Sequence, residues 1–151
     1  MSSIKDPMDK YDRQMRTFGI DATKKINSSV VYIIGLEGGL GSEIAKNLVL
    51  SGVKELYLYD RGLVTKKDIE FGYYYNNESL NKDRTSELLP HIQELNPYTK
   101  LQILNNLDFR KNSCVIICNK KLEEAIKNNK KTRDCNCKMV YAFAKGISGY
   151  V

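Results

Sequence analysis

Tryptophan is absent and histidine almost so: His91 stands alone among 151 residues. It falls on the surface of a predicted helix, and no second histidine is available, so no imidazole-based pair or triad can be built. Long apolar runs are missing too. No stretch approaches the roughly 20 residues that span a bilayer, and the start is too polar for a secretory signal. Internal repeats and low-complexity tails are absent. Cysteine is sparse, four residues at uneven spacing, which excludes a disulfide scaffold and points to a reducing compartment. Cys114 and Cys118 flank an apolar triplet at an even spacing, which puts both on one buried strand face. With Cys135 and Cys137 they read as inert thiols rather than a zinc site, and no metal is expected.

Lysine is plentiful. The net charge of +6 comes from 24 basic and 18 acidic residues, with lysines scattered in pairs such as Lys24-Lys25 and Lys130-Lys131. Tyrosines do not alternate with these pairs, so the chain lacks the concentrated groove of a nucleic-acid binder. A composition of 42% hydrophobic and 28% charged residues is that of an ordinary globular protein, and the length suits one domain.

Periodicity predicts an α/β order. Asp6 caps an opening helix, Pro7 takes its first position, and Met8, Tyr11, Met15 and Phe18 recur as an apolar stripe ended by Gly19. Arg13, about 200° around the helix from Tyr11, points away from that stripe. Asp21 caps a second short helix through Ile26. Val30 to Ile34 is a continuous apolar run suited to a buried parallel strand. After a glycine-rich turn, Ser42 caps a helix that buries Ile44, Ala45, Leu48 and Val49 and stops at Gly52. Glu55 to Tyr59 is the next strand, closing a βαβ unit on Asp60. Residues 61–83 read as irregular and polar. A helix over 84–95 follows, then strands over 100–104, 113–118 and 139–144, with a Lys-rich helix over 122–129 before the last. No terminal element is expected after them, and the stop in apolar material reads as a cut from a longer protein.

The turn, Gly35-Leu36-Glu37-Gly38-Gly39-Leu40-Gly41, is the strongest local feature. Such turns let backbone approach a pyrophosphate at a helix N-terminus, and an acid about 20 residues on takes the ribose. Asp60 stands at that distance from Gly41. The turn is one residue longer than G-x-G-x-x-G, however, and Glu37 brings a negative charge to the place of a phosphate. A tight βα turn without nucleotide therefore stands beside the nucleotide reading.

Tyr11-Asp12-Arg13-Gln14-Met15-Arg16, Ser28-Ser29-Val30, Gly35 through Leu48, Ser51-Gly52-Val53-Lys54 and Asp60-Arg61-Gly62 resemble the adenylating domains of ubiquitin-activating enzymes, most of all the N-terminal half of the enzyme for ubiquitin. The likeness runs from about Asp9 to the last residue. It implies a doubly wound, Rossmann-like, mostly parallel sheet of the ThiF/MoeB type, preceded by two short helices. It also implies a division of labour: two related halves pair, and only one binds Mg-ATP and adenylates the modifier, which then passes to a cysteine as a thioester. Active halves carry an Asn-x-x-Arg-Gln segment and a later Lys at the phosphates. Those positions fall here on Asp68, Phe71, Gly72 and Arg84, so that only Asp60 is kept.

The resemblance thus implies the inactive half, residues 1–151 being one domain of a longer cytoplasmic and nuclear enzyme. Gly35, Gly39, Gly41 and Asp60 would be a vestigial, empty nucleotide turn. Arg13 matches an arginine that crosses to the ATP of the partner half. The implied partners are the active half and ubiquitin or a ubiquitin-like modifier, with no nucleic acid and no membrane. Tyr73 to Tyr75 and Tyr150-Val151 are expected to expose apolar surface to the lost partner. Three alternatives remain open: the small subunit of a SUMO-type activating enzyme, an NAD(P)-binding oxidoreductase, and a scaffold or binding module with no catalysis. The altered turn stands against the oxidoreductase.

Overall fold

The structure, a computed structural model, describes residues 7–151. Six strands form one sheet in the order β3-β2-β1-β4-β5-β6, with β1 Val30–Ile34, β2 Glu55–Tyr59, β3 Lys100–Ile103, β4 Cys114–Cys118, β5 Lys138–Lys145 and β6 Ser148–Tyr150. The first five strands run parallel, and β6 returns antiparallel on β5 with Phe143 opposite Tyr150. An element does follow the last expected strand, because Gly146, at φ +60°, allows the chain to reverse there.

The apolar strand runs divide by parity. Val31, Ile33, Leu56, Leu58 and Cys118 pack under helices α3 (Leu40–Ser51) and α5 (Arg84–Leu95). Tyr32, Ile34, Tyr57, Val115 and Ile117 face the other way, toward Ala125 of helix α6 (Leu122–Asp134). Both faces are thus covered, as a continuous apolar strand requires. The crossover from β3 to β4 carries no helix. Leu104, Leu107 and Phe109 of that loop pack on the second face, and Phe109 meets the Tyr32 ring edge-on at 5.2 Å. Cys114 and Cys118 belong to the α3/α5 face, and burial pushes the Cys118 thiol up to about 12.

The N-terminal stripe holds only in part. Pro7–Tyr11 is a 3-10 turn, α1 spans Asp12–Phe18, and α2 spans Ile20–Ser28. Tyr11 is buried and anchors this entry, its hydroxyl accepting from Asn96 Nδ2 at 2.7 Å. Phe18 is 67% exposed, because Gly19 turns the chain before the stripe reaches the body. Asp6 lies outside the described residues, as does the Met8 side chain. Asp21 sits in the first turn of α2 and Gly19 precedes it as the cap. Helix α3 likewise starts before Ser42, whose buried hydroxyl donates to the Gly39 carbonyl at 2.7 Å.

Within 61–83, expected to be irregular, the chain builds α4 (Lys66–Phe71) and a 3-10 turn at Asn77–Ser79, each closed by a capping box. The reciprocal Thr65–Asp68 and Asn76–Ser79 hydrogen bonds satisfy end groups that short apolar-poor segments otherwise leave open. Helix α6 runs to Asp134 rather than 129, since its buried stripe of Ala125, Asn128 and Thr132 is mostly polar and gives no apolar period.

Candidate functional site at the glycine turn

The site lies at the carboxyl ends of β1, β2 and β4, where open α/β sheets present their ligand crevice. Residues Gly35 to Gly39 leave β1 there and lead into α3. Asp60 follows β2 and is buried, its side chain 1% exposed. Its Oδ2 accepts from the Leu36 N–H at 2.7 Å, and its Oδ1 from the Gly62 N–H at 2.6 Å and Arg84 Nη1 at 3.2 Å. Lys120, after β4, brings its Nζ to 4.0 Å from Asp60 Oδ2. Both oxygens of this carboxylate are thus already engaged.

Arg84 and Asp68 complete a buried ionic cluster. Arg84 Nε donates to Asp68 Oδ2 at 2.9 Å, and the side chains are 6% and 0% exposed. The Thr65 N–H and hydroxyl each donate to the same oxygen at 2.8 Å. Asp68 Oδ1 accepts from the Gly38 N–H at 2.9 Å. Burial alone would raise the Asp68 pKa, but hydrogen bonds from Gly38, Thr65 and Arg84 together outweigh it and hold the carboxyl below its usual range. Burial likewise works against the Arg84 cation, and Asp68 and Asp60 override it, holding its pKa above the ordinary value.

The glycines of the turn serve close backbone packing. A Cβ on Gly39, at φ +86°, would stand 2.7 Å from the Phe71 carbonyl oxygen at the end of α4. One on Gly35 would strike the Cys118 carbonyl of β4, and one on Gly41 the carbonyl of Gly35. Helix α4 therefore sits directly on the turn. Asn119 braces the other side, donating to the Glu37 carbonyl at 3.1 Å and accepting from the Ala144 N–H at 2.9 Å. Glu37 itself is exposed. The negative charge at the turn's N–H comes from Asp68, not from Glu37 as the sequence suggests.

A cleft of about 370 Å³ opens beside Asp60, lined by Arg61, Asp83, Thr85, Ser86, Leu104 and Asn105 among others. At the turn the backbone donor at Gly38 and the guanidinium of Arg84 already hold a carboxylate, so these two donors are not open to phosphate. Phe71 is 71% exposed, and Gly72 presents no side chain. Arg13 takes no part in the cluster. It is exposed on α1, and among the described residues its guanidinium makes no hydrogen bond or ion pair, whereas the nearby Arg16 pairs with Asp12 at 2.9 Å. No group of three or more His, Cys, Asp or Glu side chains comes together for a metal among the described residues. No described helix is long and apolar enough to cross a membrane.

Asp68 and Arg84 enter the sequence reading only as departures from a pattern. The Thr65-x-x-Asp68 spacing of a capping box was the local signal for α4, and so for the placement of Asp68.

The fold, with its glycine turn and two leading helices, matches the ThiF family over residues 11–146, and the chain belongs to that family. Within it the chain is an adenylation domain of the E1 type. It is 35% identical over 144 residues to ubiquitin-activating enzyme E1 1 of Candida albicans, covering 93% of this chain and 14% of that protein. It is 34% identical over 146 residues to SUMO-activating enzyme subunit 1 of Dictyostelium discoideum, covering 92% and 44% respectively. The chain thus spans less than half the length of either relative. Among solved structures, the tRNA N6-threonylcarbamoyladenosine dehydratase of E. coli superposes with a TM-score of 0.75 at 16% identity, covering 89% of this chain and 59% of that one. At that identity the likeness is one of fold.

Proposed function

We propose that this chain is the inactive adenylation half of a ubiquitin-activating enzyme, one domain of a longer protein, supporting ATP-dependent activation of ubiquitin by a partner half. The observation that carries this reading is the Asp68 carboxylate held by the Gly38 N–H and Arg84, where an active half would present its donors to phosphate. Phe71 and Gly72, in place of the Arg and Gln implied by the resemblance, support it. Mg-ATP belongs to the partner half, and no cofactor to this one.

Arg13 is the residue this half lends. Its guanidinium is exposed and carries no described ion pair, and its planar fork suits phosphate oxygens in the opposite site. There it stabilises charge as the modifier carboxylate attacks the α-phosphorus and pyrophosphate leaves. The near-equal identity to a SUMO-type subunit supports a second reading, the small subunit of that enzyme, with the same role for Arg13.

Modifier-dependent ATP–pyrophosphate exchange by the assembled enzyme tests this. Arg13→Ala slows exchange by roughly 10²-fold, with Arg13→Lys rescuing only part. Exchange at the parental rate removes the role. Titration of this chain with Mg-ATP gives affinity no tighter than about millimolar, and a stoichiometric micromolar isotherm overturns the inactive-half assignment. Whether ubiquitin or SUMO drives exchange separates the two readings.

A further inference from the structure

Loss of phosphate-contacting side chains does not by itself close a glycine turn, because the backbone N–H groups remain. Here one of them is occupied. We infer that Asp68 is a built-in anion that fills the phosphate position of the turn and excludes nucleotide from this half. This rests on the inactive-half reading and names the residue that enforces it.

The donor set around Asp68 has the chemistry of an anion site. Two backbone N–H groups (Gly38 and Thr65), the Thr65 hydroxyl and the Arg84 guanidinium converge on its two oxygens at 2.8–2.9 Å. Asp68 is fully buried and Arg84 nearly so, while Gly38 is half-buried and Thr65 lies at the surface. Converging N–H groups beside a guanidinium are what phosphate oxygens require. A phosphate arriving at Gly38 would have to displace a carboxylate held by every one of these donors. If Asp68 stayed, the phosphate would face its charge, and that of Asp60 two bonds of the same network away, in a poorly solvated place. Capping ties the device to the fold. Asp68 also closes the N-terminus of α4, whose last turn sets the Phe71 carbonyl against Gly39. Neutralising Asp68 thus removes the anion and loosens the helix that covers the turn. Glu37 is exposed and its carboxylate holds none of the turn's N–H groups, so it does not fill this position, although its charge is felt at Arg84.

The test uses the whole chain and inorganic pyrophosphate as probe, by calorimetry. Asp68→Asn keeps the side-chain volume and removes the charge. It should bind pyrophosphate at least about tenfold tighter than the parent chain, and Glu37→Gln, which removes only a distant exposed charge, should gain well under that. Asp68→Asn/Arg84→Lys, which retains a cation beside a neutral amide, should show the same gain. Asp68→Asn/Arg84→Met, lacking the cation, should lose it. A folded Asp68→Asn or Asp68→Asn/Arg84→Lys variant that binds no better than the parent overturns the inference and leaves the inactive-half reading standing. Failure of both to fold also overturns it, since Asp68 is then required by the fold and is not an exchangeable occupant. Tight binding of Mg-ATP by the parent chain instead removes the inactive-half reading and this inference with it.

Discussion

Strand β2 carries an arginine–carboxylate cluster at each end, and the two differ in burial more than in chemistry. At the carboxyl end Arg84 joins Asp60 and Asp68, with all three side chains at most 6% exposed. At the amino end Arg110 grips both oxygens of Glu55 at 3.0 Å and donates to the Tyr57 hydroxyl at 2.7 Å, but its side chain is 55% exposed. Water can replace Arg110 if it leaves. Water does not reach Asp68 to replace Arg84. The buried cluster therefore locks α4 and α5 to the glycine turn, and the exposed one tethers the helix-free crossover loop over Tyr32 and Tyr57. Removing one partner of an ion pair is costly when the other is left charged and without access to solvent.

The sharpest way to break this comparison is to remove each arginine in turn. Arg84→Met leaves the buried Asp68 without its cation and Asp60 with only Lys120 at 4.0 Å, and should lower stability by about 3–5 kcal/mol, read from urea unfolding. An unchanged midpoint would mean that the cluster is not the lock described here.

Acid probes the same cluster from the carboxylate side. The folded-state pKa of Asp68 is depressed, so its contribution is fully present above the unfolded value and is lost as pH falls through the folded one. Stability should hold level above about pH 5 and fall steeply below about pH 4. Asp68→Asn should flatten that limb. An identical acid limb in parent and variant would assign the acid sensitivity elsewhere.

Gly39→Ala tests whether α4 must sit on the turn. The added Cβ meets the Phe71 carbonyl at a positive φ, and the expected loss is about 1–3 kcal/mol. Full parental stability would show that α4 can move away from the turn at little cost.

The smallest effect belongs to the exposed end. Arg110→Ala should shift the thermal midpoint less than any of these changes, and the shift should shrink further at high salt. A loss rivaling that of Arg84→Met would erase the distinction between the two ends.

Much of this protein could be read along the chain. The βαβ unit was legible because Val30 to Ile34 and Glu55 to Tyr59 are apolar on both faces and Gly52 marks a helix end by its left-handed conformation. The tyrosine cluster was legible only as composition. The structure buries Tyr75, half-buries Tyr74 and leaves Tyr73 at 87% exposed. Tyr150 and Val151 are exposed as expected, although Tyr150 also stacks on Phe143 through β6. Segment 61–83 was misread because short helices are held by end-group hydrogen bonds rather than by an apolar period.

Periodicity and turn chemistry, both local properties, thus determined the βαβ core, its parallel strands and the place of the crevice, but not α4 or β6. Whether the crevice could accept an anion was a different kind of question. Asp68, Arg84 and Gly38 lie on three separate elements, and residues 30 and 16 positions apart meet only when α4 and α5 fold back over the turn. Charge compensation in a buried site depends on distance through space and on exclusion of water, neither of which a linear spacing encodes.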